Sequence, residues 1–239
     1  MSVVVTCLDA PHLAATVAVQ LRAAVVRRQV DPDYVVQICL TGGRIANEVY
    51  RQVAADDDEA PTLDWNRVEF WWGDERFVPT ASACRNAGQS LALLASSIPL
   101  APSRVHPMPS SGSGMSDLRR AALLYESELG DTTFDICLLG LGEDGHVASL
   151  FPDHQSFDRG ATTRVVGVTN APKPPPERLS VTMPVINDSA EVWVIAAGAA
   201  KAPAAAQSIG GDQSLPAGVV TGRERTIWFL DQDAAQLLP

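Results

Sequence analysis

Several things are scarce in this 239-residue chain, and each scarcity excludes a class of protein. There are only four cysteines, Cys7, Cys39, Cys84 and Cys137, and no C-x-x-C pair. Three of them sit in apolar, strand-like surroundings, so they read as reduced, mostly buried thiols of a cytosolic protein rather than a disulfide framework or zinc site. Basic residues number 18 against 28 acidic ones, a formal net charge of -10. That balance removes a basic nucleic-acid footprint. An anionic substrate would have to be caught by a few placed cations against the overall field. No apolar run reaches the length of a membrane span. The opening MSVVVTCLDAPHLAATV lacks the basic and continuous apolar regions of a signal peptide. The chain is therefore read as cytoplasmic, with no membrane and no nucleic-acid partner.

What is present is an alternation. Residues 12–29 have helical spacing and end in basic residues, which suits a last turn. YVVQICL (34–40) reads as a buried strand, followed by TGG and the helical RIANEVYRQVA. RVEFWW (67–72) is strand-like and leads into GDERFVP. NAGQSLALLAS (86–96) and SDLRRAALLYESEL (116–129) read as helices, FDICLLG (134–140) and TRVVGVT (163–169) as strands. LSVTMPVI (179–186) has mixed character. EVWVIAAG (191–198) is a strand before an alanine-rich stretch, and RTIWFLD (225–231) is the last strand. Strands alternating with helices predict an α/β fold with a largely parallel, open sheet flanked by helices. Loops are expected at 55–62, 109–114 and 170–178, the last stiffened by its proline run. No internal repeat and no composition break divides the chain, so residues 1–239 are expected to form a single domain.

In open parallel sheets ligands bind beyond the carboxyl ends of the strands. Four polar clusters follow strand-like runs: TGGR (41–44), GDER (73–76), GLGEDGH (140–146) and GAAK (198–201). Gly42 and Gly43, between a strand and a helix, let backbone N–H groups approach an anion, although a plain tight turn would look the same. Neither a Walker loop nor a supported G-x-G-x-x-G is present. Asp74 and Arg76 read either as a surface ion-pair loop or as charges set within a pocket. Arg178, behind three prolines, and Lys201, after Gly198, suit phosphate recognition; each alone also fits a solvated cation. His146 is one of four histidines and sits behind two glycines and two acids. An imidazole there can act as a general base near neutral pH. It has no H-x-x-x-H partner, so metal binding is not expected.

Taken in order, TGG at 41–43, WGDERFVP at 72–79, Asn86, LLGLGEDGHVASLFP at 138–152, PPPERLSVTMP at 174–184, GAAKA at 198–202 and LPA at 215–217 resemble the 6-phosphogluconolactonase family. The resemblance spans nearly the whole chain. It implies a modified Rossmann-like fold shared with the glucosamine-6-phosphate deaminases. It also implies cofactor-free and metal-free hydrolysis of 6-phospho-D-glucono-1,5-lactone to 6-phosphogluconate in the oxidative pentose phosphate pathway. The partner it implies is thus a small sugar-phosphate lactone, taken up by a monomer or weak homodimer.

Carried over to this sequence, Gly42, Gly43, Arg178 and Lys201 look like phosphate-binding groups, with Asn86 in the substrate site. His146 looks like the base that activates water. Asp74 and Arg76 look like charges near the reacting end, and Asp144 like the residue that positions the loop. Arg44 departs from the small hydroxylated residue usual there; it either touches phosphate or turns outward. In the deaminases a glutamate usually follows the histidine by five residues, where this chain has Phe151, and DEY stands where it has Asp74-Glu75-Arg76. Both differences favour the lactonase. A non-catalytic sugar-phosphate sensor would be expected to carry an added DNA-binding module and a degraded loop, and His146 and its neighbours are intact.

Overall fold

The structure is a computed structural model, and it describes residues 2–55, 63–112 and 117–239. The loop expected at 55–62 lies outside the described residues except for its first residue. So do the end of the 109–114 loop and the first residue of the 116–129 helix.

The first strand, β1 (Ser2–Cys7), leads into α1 (Ala10–Arg28). Asp9 starts that helix by accepting the His12 N–H at 2.8 Å, and Arg27 and Arg28 fall in its last turn. Leu13, Val17, Leu21 and Val25 recur at helical spacing and are buried. There follow β2 (Val36–Leu40), α2 (Arg44–Ala54), β3 (Val68–Trp72), β4 (Asp74–Arg76) and α3 (Asn86–Leu94). The middle of the chain supplies β5 (Val105–His106), α4 (Leu118–Leu129), β6 (Ile136–Gly140), β7 (Val165–Val168) and β8 (Arg178–Val181). It closes with α5 (Met183–Asn187), β9 (Glu191–Ala196), α6 (Ala202–Ile209), β10 (Arg225–Asp231) and α7 (Gln232–Ala235).

Seven strands form one sheet in the order β1-β10-β9-β6-β2-β3-β5, and every pairing in it is parallel. This is the open, mostly parallel α/β architecture expected from the alternation. Helices on the sheet faces explain why β9 is buried at all six positions. Parallel direction also sends the loops after β2, β3, β6 and β9 out at one edge.

Two features differ from the sequence reading. The valine-rich start is a strand, β1, held by β10 from Ser2↔Thr226 to Cys7↔Asp231. GDER is not only a loop: Asp74–Arg76 forms β4 of a second, antiparallel sheet, β4-β8-β7. The mixed stretch 179–186 divides at Thr182, where β8 ends and α5 begins with Pro184 in its first turn. As expected, Cys7, Cys39 and Cys137 are buried; Cys84 is exposed. Among the described residues no helix is long and apolar enough to cross a membrane.

Candidate active site

The loops after β2, β6 and β9 meet β4 and β8 around a cavity of about 260 Å³. Eight of the ten expected site residues line it: Gly42, Gly43, Asp74, Arg76, Asn86, His146, Arg178 and Lys201. Asp144 stands behind His146 instead. Arg44 is exposed and lines a neighbouring cavity of about 510 Å³, which shares the Gly42–Gly43 turn, Gly140, Leu141 and Lys201 with the first. The larger space is lined by Ile45, Leu141 and Ile195 and by no histidine, whereas His146 lines the smaller one.

The period of two along β4 sorts its three charges. Asp74 and Arg76 face the cavity, whereas Glu75 points the other way and is fully buried. Glu75 Oε1 accepts the N–H of Asn86 at 2.8 Å, and Oε2 accepts that of Ala87 at 2.9 Å, so a carboxylate seats the start of α3. Burial pushes its carboxyl up, against those N–H groups and the Arg85 guanidinium 3.6 Å away. Asn86, at the first turn of α3, then ties β4 together. Its Nδ2 donates to Asp74 O at 3.0 Å and Oδ1 at 3.2 Å, and its Oδ1 accepts from Arg76 Nη1. Ser149 Oγ donates to Asp74 Oδ2 at 2.7 Å. Arg76 Nη1 also reaches Cys84 O at 2.9 Å; among the described residues neither Nη2 nor the buried Nε has a hydrogen-bond partner. The close approach of Gly42 to Asn86 requires glycine, because a Cβ there would lie 1.9 Å from Asn86 Oδ1.

The loop after β6 folds back on itself. Gly142 N–H donates to His146 O at 2.8 Å, and Gly145 turns with φ +80°. Asp144 Oδ1 lies 2.5 Å from His146 Nδ1 and 3.2 Å from Lys173 Nζ. Partial burial works against the Asp144 carboxylate. The His146 hydrogen bond and the charges of His146 and Lys173 prevail and hold it well below the usual carboxylate range. The imidazole is seated on Phe151, with ring centroids 4.6 Å apart, and the Arg178 guanidinium lies 5.6 Å over the same ring.

Arg178 sits directly opposite Arg76 across β4 and β8, so two guanidinium groups share one wall. Most of its donors are committed to its own proline loop. Nη2 reaches Lys173 O at 2.9 Å and Pro174 O at 3.2 Å, and Nε reaches Pro175 O at 3.2 Å. Among the described residues the one hydrogen-bond neighbour of Nη1 is Ser149 Oγ, at the long distance of 3.5 Å. Burial lowers the Arg178 guanidinium from its ordinary value and likewise the Lys201 ammonium. Lys201 Nζ lies 3.8 Å from Glu143 and beside the Gly42–Gly43 turn, where α2 begins. Gly43 takes φ +112°, which opens that helix start to an anion. Among the described residues no group of three His, Cys, Asp or Glu side chains could hold a metal ion.

Lys173 was not singled out in the sequence, although it lines the cavity. The only signal for it was its place beside the rigid proline run.

A family model described as "Glucosamine-6-phosphate isomerases/6-phosphogluconolactonase" matches residues 9–228. The chain belongs to this family. Among its relatives, the 6-phosphogluconolactonase of Streptomyces coelicolor is 43% identical over 215 residues, covering 84% of this chain and 82% of the relative. The protein of the same name from Mycobacterium tuberculosis is 42% identical over 213 residues, covering 84% and 85%. The crystal structure of 6-phosphogluconolactonase from Thermotoga maritima superimposes with a TM-score of 0.83 at 27% identity, covering 97% of this chain and all of the other. The 6-phosphogluconolactonase resemblance read from the ordered motifs therefore holds over most of the chain. Every motif quoted for it except LPA, at 215–217, contributes at least one residue to the cavity wall.

Proposed function

We propose that this protein hydrolyses 6-phospho-D-glucono-1,5-lactone to 6-phospho-D-gluconate, with His146 as general base. The observation that carries this reading is the Asp144–His146 pair set beside a cavity whose other walls bear Arg76, Arg178 and Lys201. Asp144 accepts at Nδ1, so in the neutral tautomer this bond selects, Nε2 keeps its lone pair. Nε2 takes a proton from water as the water oxygen bonds to C1 of the lactone. The carbonyl oxygen becomes an oxyanion, and Arg76, whose Nη2 has no partner among the described residues, faces that charge. Collapse breaks the bond between C1 and the ring oxygen, which takes the proton back from Nε2. The acid formed then ionises. Asp74, fixed by Ser149 and Asn86, stabilises the cationic wall and orients sugar hydroxyls.

The phosphate is held by Lys201, by the Gly42–Gly43 turn at the start of α2, and by Nη1 of Arg178. Arg44 lines the adjoining space beside that turn, and its charge acts on Lys201. Holding the phosphate far from C1 contributes orientation as well as affinity.

The test is lactone hydrolysis. The lactone is generated in situ and its loss followed against the spontaneous rate. His146→Asn is expected to fold, to keep KM, and to lose turnover by on the order of a hundredfold or more. Undiminished turnover removes His146 from the mechanism. No acceleration by the parent protein overturns the lactonase reading, and glucosamine 6-phosphate becomes the next substrate.

A further inference from the structure

Outside the groups given a role above, the charged residue Lys173 stands within the site with one backbone and one side-chain attachment. The backbone carbonyl of Lys173 accepts from Arg178 Nη2 at 2.9 Å, and its ammonium donates to Asp144 Oδ1 at 3.2 Å. The same oxygen of Asp144 receives Nδ1 of His146. The loop before β8 and the loop after β6 are thus joined by one ion pair at the carboxylate that orients the imidazole.

We propose that Lys173 is a positioning residue: it fixes the Asp144 carboxylate so that Oδ1 holds His146 in line for the reaction. This rests on the reading of His146 as the base.

The physical need is plain. A carboxylate with 36% of its side chain exposed can turn toward water, and the His146 hydrogen bond alone leaves its torsion loosely fixed. A second donor on the same oxygen, carried by a loop that three prolines stiffen and Arg178 clamps, removes that freedom. The other charges around the imidazole are committed elsewhere. Asp74 is held by Asn86 and Ser149, Arg76 by Asn86 and Cys84, and Lys201 faces Glu143. Asp144 has no other cation within ion-pair distance among the described residues. Lys173 is 44% exposed, so the pair is modest and salt-sensitive.

Lys173→Met is expected to lower kcat by roughly two- to fivefold with KM changed less than about twofold. Lys173→Arg is expected to restore most of it. The deciding measurement is a double-mutant cycle. If Lys173 acts only through Asp144, then Lys173→Met costs little further kcat in an Asp144→Asn background. Additive losses overturn the proposal. A rise in KM at unchanged kcat also overturns it and makes Lys173 a direct ligand of the substrate anion. A kcat for Lys173→Met equal to that of the parent overturns it as well. These outcomes are separate from the base assignment, which fails only if His146→Asn stays active.

Discussion

Gly142→Ala is the sharpest probe of the site, because the structure predicts both its size and its target. Gly142 has no positive φ, so alanine meets no backbone penalty there. The new methyl would stand 1.9 Å from His146 Nδ1 and 2.3 Å from Asp144 Oδ1. Ordinary contact begins at 3.4 Å, so the imidazole must retreat by about 1.5 Å. Its ring is backed by Phe151 and cannot simply swing away. Displacements of about 1 Å at a reacting group cost on the order of a hundredfold in rate. The expected result is a fall in kcat of that order, with KM nearly unchanged, because Lys201 and the Gly42–Gly43 turn are untouched. Overpacking should cost about 1–3 kcal/mol of stability. For a chain of this size that lowers Tm by roughly 2–4 °C for each kcal/mol. The assay is proton release from lactone generated in situ, corrected for the spontaneous rate, beside a thermal melt. A folded Gly142→Ala protein with kcat within about threefold of the parent would refute the Asp144–His146 geometry as the working arrangement.

Two further substitutions test the other walls. Lys201→Met should raise KM strongly and yet stabilise the free protein. Burial lowers the Lys201 ammonium, so its charge is a penalty to the folded state at neutral pH, and that penalty fades as pH rises toward the ordinary lysine value near 10.5. Thermal melts of both proteins should therefore converge at alkaline pH; a Lys201→Met protein less stable than the parent at pH 7 counts against this. Gly42→Ala drives a methyl into Asn86, which carries both Asp74 and Arg76, and should cut kcat/KM by roughly tenfold or more. Activity equal to the parent would show that the Asn86 network is dispensable.

The parallel strands whose loops reach the site were legible because each is a short apolar run with a glycine at its end or within two residues after it. Val36–Leu40 before TGG and Ile136–Gly140 before LGEDG fall within one or two residues of their expected bounds. The long middle motif pointed to His146 and to Asp144 as a residue that positions the loop; that Asp144 Oδ1 meets His146 Nδ1 directly came only from the structure. The second sheet was hidden. Its β4 is three charged residues, and nothing in a polar tripeptide announces that it pairs with Arg178–Val181 a hundred residues later. Glu75 was likewise unreadable, because only the pairing shows that it faces away from Asp74 and Arg76. Arg178 was expected as a phosphate-binding guanidinium on a rigid approach, but the sequence did not show that most of its donors hold its own loop.

The parallel sheet also governs when the site can come into being. Its walls follow β2, β6 and β9, and β2 meets β6 only through contacts such as Ile38↔Ile136, far apart in the chain. Helices such as α1 are built from local contacts and form early, while long-range parallel pairing closes large loops and comes late. Catalysis should therefore return last during refolding. A chain stopped short of that pairing would show much of its helical circular dichroism and leave the lactone to water alone.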